Sequence, residues 1–173
     1  MSSDPLIAVA TDALRGVVQA ALPAGSVVCI GPPLPGEVQL PGLSLHLYRI
    51  GVMPLVRAVP VLGANGRRMR PEIGLQLDYL LSGLGGEALE ELGLLGRALQ
   101  ALSDSPVRAR ASLAALVSQP ERLEAVGPGS LGIQWRVLDL PVEQASAVWL
   151  ASGMRQRGGL FCRAETVWRA LPD

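Results

Sequence analysis

The sequence predicts an α+β fold, in which a mixed, mostly antiparallel sheet is covered by helices. Two segments, residues 43–50 (LSLHLYRI) and 71–82 (PEIGLQLDYLLS), alternate apolar and polar side chains with the period of two that is typical of a half-buried strand. Residues 87–102 (EALEELGLLGRALQAL) instead repeat leucine at helical spacing. Strand-like and helical segments alternate irregularly along the rest of the chain, which favours helices packed on a mixed sheet.

The segment from Pro71 to Leu102 is predicted to be the central unit of this fold, as a strand, a glycine turn and a helix. The alternating apolar positions of the strand are Ile73, Leu75, Leu77, Tyr79 and Leu81. Leu80 adds an apolar side chain near the far end, so we expect that end to be covered on both faces. Gly83 to Gly86 are predicted to break the strand, because glycine adopts positive φ at little steric cost. The helix face expected to cover the sheet consists of Ala88, Leu92, Leu95, Ala98, Leu99 and Leu102.

One helix and two strands are predicted before this unit. The helix begins at Asp4-Pro5, an N-cap acceptor followed by proline at the first helical position, and ends near Leu22. Residues 26–30 are predicted to be a short strand, and the proline-rich residues 31–42 a loop. In the second strand, Leu43, Leu45, Leu47 and Arg49 are predicted to share one face, and Ser44, His46, Tyr48 and Ile50 the other.

Residues 51–70 combine apolar runs, prolines and a basic cluster. Pieces of this segment are predicted to be strand, and Asn65-Gly66 is a turn signal that favours a hairpin leading back into the central strand. Arg67, Arg68 and Arg70 form the densest positive cluster in the chain. They are interpreted either as a solvated loop or as a projecting patch that meets an acidic partner surface.

The C-terminal part is predicted to contain shorter elements. A stop signal at residues 103–106 ends the central helix, and residues 107–118 are predicted to include a short helix. A weak segment over residues 120–129 precedes a third strand at 131–138. The last elements are a helix that begins at Pro141, a turn over residues 154–159 and a closing strand at 160–171.

Length and composition predict one domain over residues 1–173, because roughly 100–150 residues is the common domain size. The hydrophobic fraction is 49% and the mean hydropathy is +0.35, so apolar surface is expected either in a core of small side chains or against copies or partners. No run reaches the roughly 18–20 apolar residues that span a bilayer, and Asp4 stands where a signal peptide would be basic. A cytoplasmic protein without a membrane span is therefore predicted.

Charge and cysteine content exclude further classes. Fifteen basic residues, all arginine, balance fifteen acidic ones, which argues against nucleic-acid binding through a broad basic field. Cys29 and Cys162 lie in apolar runs without CxxC spacing, so they are expected to be buried thiols in a reducing compartment. No metal site is expected.

No catalytic site is expected either. Neither cysteine lies in a glycine elbow, and the Gly-x-Ser-x-Gly and P-loop patterns do not occur. Glu72 and Asp78 share a predicted strand face, but roughly 20 Å of strand separates them, which is too far for shared acid–base work. The only histidine, His46, lacks neighbouring ligands at metal-binding spacing and is interpreted as a hydrogen-bonding side chain. The sequence thus predicts a protein that is not an enzyme and that uses no cofactor.

The ordered motifs resemble those of the cap, or tail-terminator, family of extracellular contractile injection systems, which are phage-tail-like particles. The resemblance covers roughly Asp4 to Ala170. It follows LSLHLYRI, GLQLDYLLSG, ELGLLGRALQAL, LDLPVEQASAVW and a closing strand, in that order. The best-matching residues are Leu45, Leu47, Tyr48, Arg49, Leu77, Tyr79, Leu80, Leu81, Leu94, Leu95, Gly96, Leu140 and Trp149. In the family, a polar stretch usually follows the LYRI strand, whereas residues 51–62 are apolar here.

This resemblance implies a tail-terminator-like domain that forms a hexameric ring on the distal end of the inner tube and the sheath. Such a cap ends tube polymerisation and anchors the last sheath ring, so its partners are its own copies, the inner tube protein and the sheath protein. The particle is expected to assemble in the cytoplasm and to be released on lysis. Five arginines in predicted loops are the candidate interface residues: Arg67, Arg68, Arg70, Arg155 and Arg157.

Two alternatives remain open at this level. One is a head–tail connector or terminator of a true phage, with a partner on the capsid side. The other is a small oligomeric enzyme in which His46 acts with an acid from a neighbouring subunit. A sixfold ring in native mass measurements favours the cap, whereas a stable monomer that turns over a small molecule favours the enzyme.

Overall fold

The structure of the chain is a computed structural model that describes residues 5–32, 41–53, 61–62, 68–69, 72–104, 106–126 and 132–169. Within these ranges the helices are α1 (Leu6–Ala21), α2 (Ala88–Asp104), α3 (Arg110–Leu113), α4 (Pro120–Ala125) and α5 (Val142–Ala151). The strands are β1 (Val27–Ile30), β2 (Gly42–Met53), β3 (Val61–Leu62), β4 (Arg68–Met69), β5 (Glu72–Leu84), β6 (Val107–Arg108), β7 (Ile133–Leu138) and β8 (Gly159–Arg169).

Six of these strands form the main sheet, in the order β1-β2-β5-β8-β7-β6. The pair β1–β2 is parallel, and the other four neighbouring pairs are antiparallel. The short strands β3 and β4 form a separate antiparallel pair in the connection between β2 and β5. The predicted α+β fold, with a mixed, mostly antiparallel sheet covered by helices, is therefore confirmed.

One face of the sheet is apolar and lies under α1 to α4; we call it the helix-covered face. Every second residue of β5 contributes to it, and Leu77, Tyr79 and Leu81 are fully buried. The Tyr79 hydroxyl lies 2.9 Å from the Thr11 hydroxyl of α1, so its polar end is satisfied inside this core. Burial of these side chains is the main term that holds the helices on the sheet.

The opposite face, which we call the polar face, carries a buried apolar cluster at one end. There α5 packs Trp149 against Leu80 and Phe161. Tyr48 contacts Phe161 edge-on, with ring centroids 6.2 Å apart and planes at 87°. The prediction that the Leu80 end of the central strand is covered on both faces is confirmed.

The central strand is longer than predicted, because β5 continues through Gly83 to Leu84. Gly83 pairs with Leu43 of β2, and the positive φ of 69° falls at Gly85 instead. A side chain at Gly83 would collide with Glu91 of α2, since an added Cβ would lie 2.5 Å from its carboxylate. The prediction of a break at Gly83 was therefore wrong: this glycine permits close approach of α2 to the strand.

The buried side of α2 also differs in part from the prediction. Leu95, Ala98 and Leu102 are buried as expected, but Leu94 completes the set. Leu92 and Leu99 are 54% and 40% exposed, and Ala88 is exposed too, so the expectation that these three cover the sheet was wrong. Six leucines in a short window allow more than one apolar stripe, and contact with α1 and the sheet selects between them.

A β-bulge interrupts β2 between Leu47 and Arg49. Leu47 pairs with Tyr79, and Arg49 pairs with Asp78, so Tyr48 is the extra residue. Tyr48 and Arg49 therefore both belong to the polar face, and the predicted placement of Arg49 on the face of Leu47 was wrong. Strict alternation fails here because one extra residue shifts the period.

Most of the remaining predicted elements form, with shifted bounds. Pro5 is the N-cap residue of α1, so its predicted place at the first helical position was wrong. The first helix, the strands near residues 27–30, 133–138 and 159–169, and the helix after Pro141 all form. Residues 107–118 contain a two-residue strand and one turn of helix rather than a single short helix. Asp4, Asn65-Gly66 and most of the predicted loop at 31–42 lie outside the described residues.

The outer edge of β1 is occupied by a side chain from α1. Gln19 donates from Nε2 to the Ser26 carbonyl and accepts the Val28 N–H at Oε1, both at 2.9 Å. Val27 N–H donates to Pro41 on the β2 side, so the Val28 N–H points outward. Gln19 thus fills hydrogen-bonding positions that a further strand would need.

Candidate functional site: a charged row on the polar face

Four charged residues form a row across four neighbouring strands of the polar face. The register places Arg49 of β2 beside Asp78 of β5, Asp78 beside Arg163 of β8, and Arg163 beside Arg136 of β7. Glu165 lies two residues further along β8, on the same face. We call these five residues the charged row.

Asp78 is the centre of the row. Its side chain is only 3% exposed. Arg163 donates hydrogen bonds to both of its oxygens, with Nε–Oδ1 at 2.5 Å and Nη2–Oδ2 at 3.0 Å. Arg49 Nη1 lies 3.4 Å from Oδ2 on the other side. A buried carboxylate is tolerated only with such compensation, and the two-point contact with Arg163 is the strong geometry for it.

Glu165 forms the second pairing centre. Its Oε1 accepts hydrogen bonds from Arg136 Nη2 and from Gln76 Nε2, both at 3.0 Å. Arg136 and Arg163 stand directly opposite each other on β7 and β8, an arrangement that is normally repulsive. Because Arg163 turns to Asp78 and Arg136 turns to Glu165, each cation has its own carboxylate.

The cations of the row are nearer to solvent than the anions. The side chains of Arg49 and Arg136 are 60% and 53% exposed, against 3% for Asp78 and 23% for Glu165. The row therefore presents guanidinium groups outward over carboxylates that lie beneath them. Three positive and two negative side chains leave this surface with an excess positive charge.

Two groups at the row, Arg163 and the neighbouring Tyr48, have shifted pKa values. Hydrogen bonding to Asp78 raises the pKa of Arg163 above its ordinary value, although burial opposes this. Burial, helped by the nearby Asp78 charge, raises the pKa of Tyr48 to about 12, so its hydroxyl remains neutral beside the row. Neither Arg163 nor Tyr48 is therefore suited to proton transfer at neutral pH.

None of the five arginines predicted from the sequence as interface residues is a member of the charged row. Arg68 belongs to β4, whereas Arg67 and Arg70 lie outside the described residues. Arg155 and Arg157 follow α5: Arg155 is exposed, and Arg157 is half-buried with Nη1 3.8 Å from Glu91 Oε1.

His46 and the two cysteines show no reactive arrangement. His46 pairs with Leu80 in the β2–β5 register, and burial lowers its pKa. Cys162 is fully buried, and desolvation raises its pKa to about 12, so it is an inert core thiol. Cys29 is half-buried. Over the part of the chain that is described, no cluster of His, Cys, Asp or Glu could hold a metal ion.

An open cavity of about 430 Å³ lies next to the row, at the end of the sheet. Glu165, Gln134 and Thr166 contribute to its wall, together with Met53 and Val107. The lining is mainly apolar with few polar groups, and it holds none of the histidine or cysteine side chains.

Among the helices in the described ranges, none is long and apolar enough to cross a membrane.

Sequence reasoning missed the charged row, although a signal was present. Asp78 stands between Leu77 and Tyr79 near the apolar end of the strand, and a buried carboxylate requires a cation on a neighbouring strand. Arg49 and Arg163 occupy strand positions that could supply it. Which strands are neighbours, however, follows from the topology and not from the spacing of these residues in the sequence.

Comparison with known proteins identifies the fold and the family. The Pvc16 N-terminal domain family matches residues 9–169. No curated protein sequence matches significantly. Among solved structures, the sheath/tube terminator of an extracellular contractile injection system (PVC, extended state) has a TM-score of 0.64 at 16% identity, covering 96% of this chain and 57% of that chain.

The tube-terminating cap of the anti-feeding prophage is similar too, with a TM-score of 0.62 at 15% identity, covering 93% of this chain and 54% of that chain. The chain thus spans a little over half the length of these two proteins. One is named as a sheath/tube terminator and the other as a tube-terminating cap. The resemblance to cap and tail-terminator proteins is confirmed, and the chain belongs to the Pvc16 N-terminal domain family.

Proposed function

We propose that this protein is a structural cap, or tail terminator, of a contractile injection system. It binds the distal end of the inner tube and the sheath, ends tube polymerisation and anchors the last sheath ring. The observation that carries the proposal is the family match over residues 9–169 together with a terminator-like fold over nearly the whole chain. Binding at a fixed end requires no catalytic group, which agrees with a site built of paired charges.

In this proposal residues 1–173 act as one domain, and six copies form a ring that matches the symmetry of the tube end. The ring assembles in the cytoplasm as part of a particle that is released on lysis. The two similar structures come from injection particles, which favours the cap over the head–tail connector of a true phage. Neither is named as an enzyme, which weighs against catalysis by His46.

Arg67, Arg68, Arg70, Arg155 and Arg157 are proposed as polar anchors to the tube or sheath. Arg155 supports this assignment best among the described ones, because it is exposed in the turn between α5 and β8. Arg157 is held near Glu91, so its contribution requires the guanidinium to exchange that contact for a partner. Exposed arginines of this kind give register and association rate more than affinity.

The test of the proposed function is electron microscopy of particles from cells with and without the gene. Tubes of uncontrolled length, or tubes without a sheath, are expected in the deletion, and the wild-type gene is expected to restore normal particles. Particles of normal length and normal capping in the deletion would disprove the proposal.

Complementation with Arg67→Glu/Arg68→Glu tests the anchors within the same experiment. We expect loss of capping by a folded protein, because two reversed charges oppose an acidic partner surface. Arg97→Glu/Arg122→Glu, which reverses two exposed arginines on α2 and α4, is the matched control and should cap normally. Unchanged capping by the Arg67/Arg68 variant would remove these residues from the interface.

A further inference from the structure

We propose that the charged row is the docking surface for a second copy of this chain, which presents the acidic first turn of its α2. The proposal deepens the proposed function by naming the two surfaces that meet between neighbouring cap subunits, and it rests on that function only for the expectation of a ring. Its evidence is the charge, exposure and placement of two surfaces of the same chain.

The first surface has unused hydrogen-bonding capacity. A guanidinium carries five N–H donors. Within the described residues, Arg49 and Arg136 each make one ion-pair contact, at 3.4 Å and 3.0 Å, and both side chains are more than half exposed. The anions that attract them are buried beneath, so a partner meets the remaining donors and an excess positive charge.

The two exposed guanidinium groups also lie closer together than their strands suggest. Arg49 reaches inward to Asp78 on β5, and Arg136 reaches inward to Glu165 on β8. β5 and β8 are adjacent, so strand spacing and a two-residue rise place these pairing centres roughly 8 Å apart. The guanidinium groups approach these centres from the outer strands β2 and β7, so a matching partner needs two carboxylates roughly 8 Å or more apart.

The second surface offers such a pair. Glu87 and Glu90 are exposed at the start of α2, three residues apart, and Leu89 between them is 83% exposed. Residues three apart on a helix have Cβ atoms roughly 5–6 Å apart, and flexible glutamate side chains cover the remaining difference. An exposed leucine between two carboxylates adds apolar area to the same contact.

The two surfaces cannot meet within one copy. The first turn of α2 packs beside Gly83 on the helix-covered face, whereas the row lies on the polar face. The contact must therefore join two copies, with different surfaces on each side. Such a head-to-tail contact generates a ring when the rotation between copies closes.

The charge balance of the chain favours a second copy of the chain, rather than a polyanion, as the partner of the charged row. Basic and acidic side chains balance, so the chain carries its own complement to the row. The excess positive charge of the row is small and local, which suits two carboxylates rather than the extended charge of a nucleic acid.

Complementary charge reversal tests the inference in purified protein, without tube or sheath. The row variant is Arg49→Glu/Arg136→Glu, and the turn variant is Glu87→Arg/Glu90→Arg. Each alone brings like charges together, so we expect at least about a tenfold increase in the dissociation constant of self-association. An equimolar mixture restores matched contacts and should assemble again, with the two variants alternating around the ring.

Native mass spectrometry measures the assembled mass and composition, and circular dichroism checks the fold. If Arg49→Glu unfolds the protein beside Asp78, the neutral variant Arg49→Gln/Arg136→Gln replaces it. This variant removes the attraction without adding repulsion, so self-association should weaken by a smaller factor, and the mixing experiment does not apply to it. Arg97→Glu/Arg122→Glu is the matched control that should assemble as the wild type does.

Several results would overturn the inference. They are a wild-type protein that stays monomeric at every concentration, row variants that assemble normally, or a mixture that fails to recover. Row variants that assemble but no longer cap would assign the surface to the tube instead. None of these outcomes changes the deletion phenotype, which tests the proposed function separately.

Discussion

The two faces of the central sheet are built from the same strands but are stabilised in different ways. On the helix-covered face, Leu77, Tyr79 and Cys162 are fully buried under helices of the same chain. On the polar face, their strand neighbours Asp78 and Arg163 satisfy each other by a two-point ion pair. The first face is completed within the chain, whereas the second leaves guanidinium groups in solvent.

This difference separates the residues that determine the fold from those that are free to bind. Burial of apolar area supplies most of the folding free energy, so changes on the helix-covered face should reduce stability. Exposed ion pairs contribute little to stability, so the outer arginines can serve an interface. The following predictions test this division, from the largest expected effect to the smallest.

Replacement of Trp135 by alanine should give the largest loss of stability. Trp135 of β7 is fully buried on the helix-covered face, and such truncations cost about 3–5 kcal/mol. Chemical denaturation measures the free energy of unfolding. Gln134→Ala, the exposed neighbour on the polar face, is the control and should change it by less than about 0.5 kcal/mol. Equal losses at the two positions would contradict the division between the faces.

Asp78→Ala should produce the largest effect on the polar face. It leaves Arg163, whose side chain is only 16% exposed, without its main partner, and we expect a loss of about 2–3 kcal/mol. A double-mutant cycle with Arg163→Met measures the coupling. Glu165→Ala, which removes a more exposed carboxylate, should cost less. A larger loss for Glu165→Ala would show that burial of the carboxylate does not determine how much each ion pair of the row contributes to the free energy of unfolding.

Asp12 is a hydrogen-bonded carboxylate on the helix-covered side, and its replacement tests how much such a group contributes to the free energy of unfolding. It accepts hydrogen bonds from the Ser118 N–H at 2.6 Å, the Ser118 hydroxyl at 2.8 Å and Arg15 Nε at 2.8 Å. These contacts join α1 to the turn before α4, so Asp12→Ala should reduce the free energy of unfolding by about 1–3 kcal/mol.

The same residue predicts a pH dependence. Burial acts to raise the pKa of Asp12, but the hydrogen bonds from Arg15 and Ser118 outweigh it and hold the pKa below the ordinary 3.8. Its stabilisation is therefore complete above pH 3.8 and is lost as the pH falls through the lower folded-state pKa. Denaturation curves between pH 5 and pH 2 should show a smaller acid loss for Asp12→Asn than for the wild type. Identical curves would exclude Asp12 as a source.

Arg136→Ala should have the smallest effect on stability. Its side chain is 53% exposed, and exposed ion pairs contribute about 0–1 kcal/mol. Thermal unfolding of the variant should therefore stay close to that of the wild type, while self-association weakens. A large loss of stability with unchanged association would assign Arg136 to the fold rather than to an interface.

The features that the sequence predicts correctly depend on neighbouring residues, and the features that it misses depend on contacts between distant parts of the chain. Alternation in β5 and the leucine repeat of α2 are local patterns, and each identifies its element correctly. The bulge at Tyr48 is not visible in LSLHLYRI, because only pairing with Tyr79 and Asp78 reveals the extra residue. The exposure of Leu92 likewise depends on which stripe of α2 meets α1 and the sheet.

The sequence by itself therefore determined the kinds of elements, their order and the apolar character of one face of β5. It also carried the ordered motifs of the family. Only the tertiary structure decided the strand order, the buried stripe of α2 and the charged row. The reason is separation along the chain: Asp78 lies 29 residues from Arg49 and 85 from Arg163, and only the register of the sheet brings these three charges together.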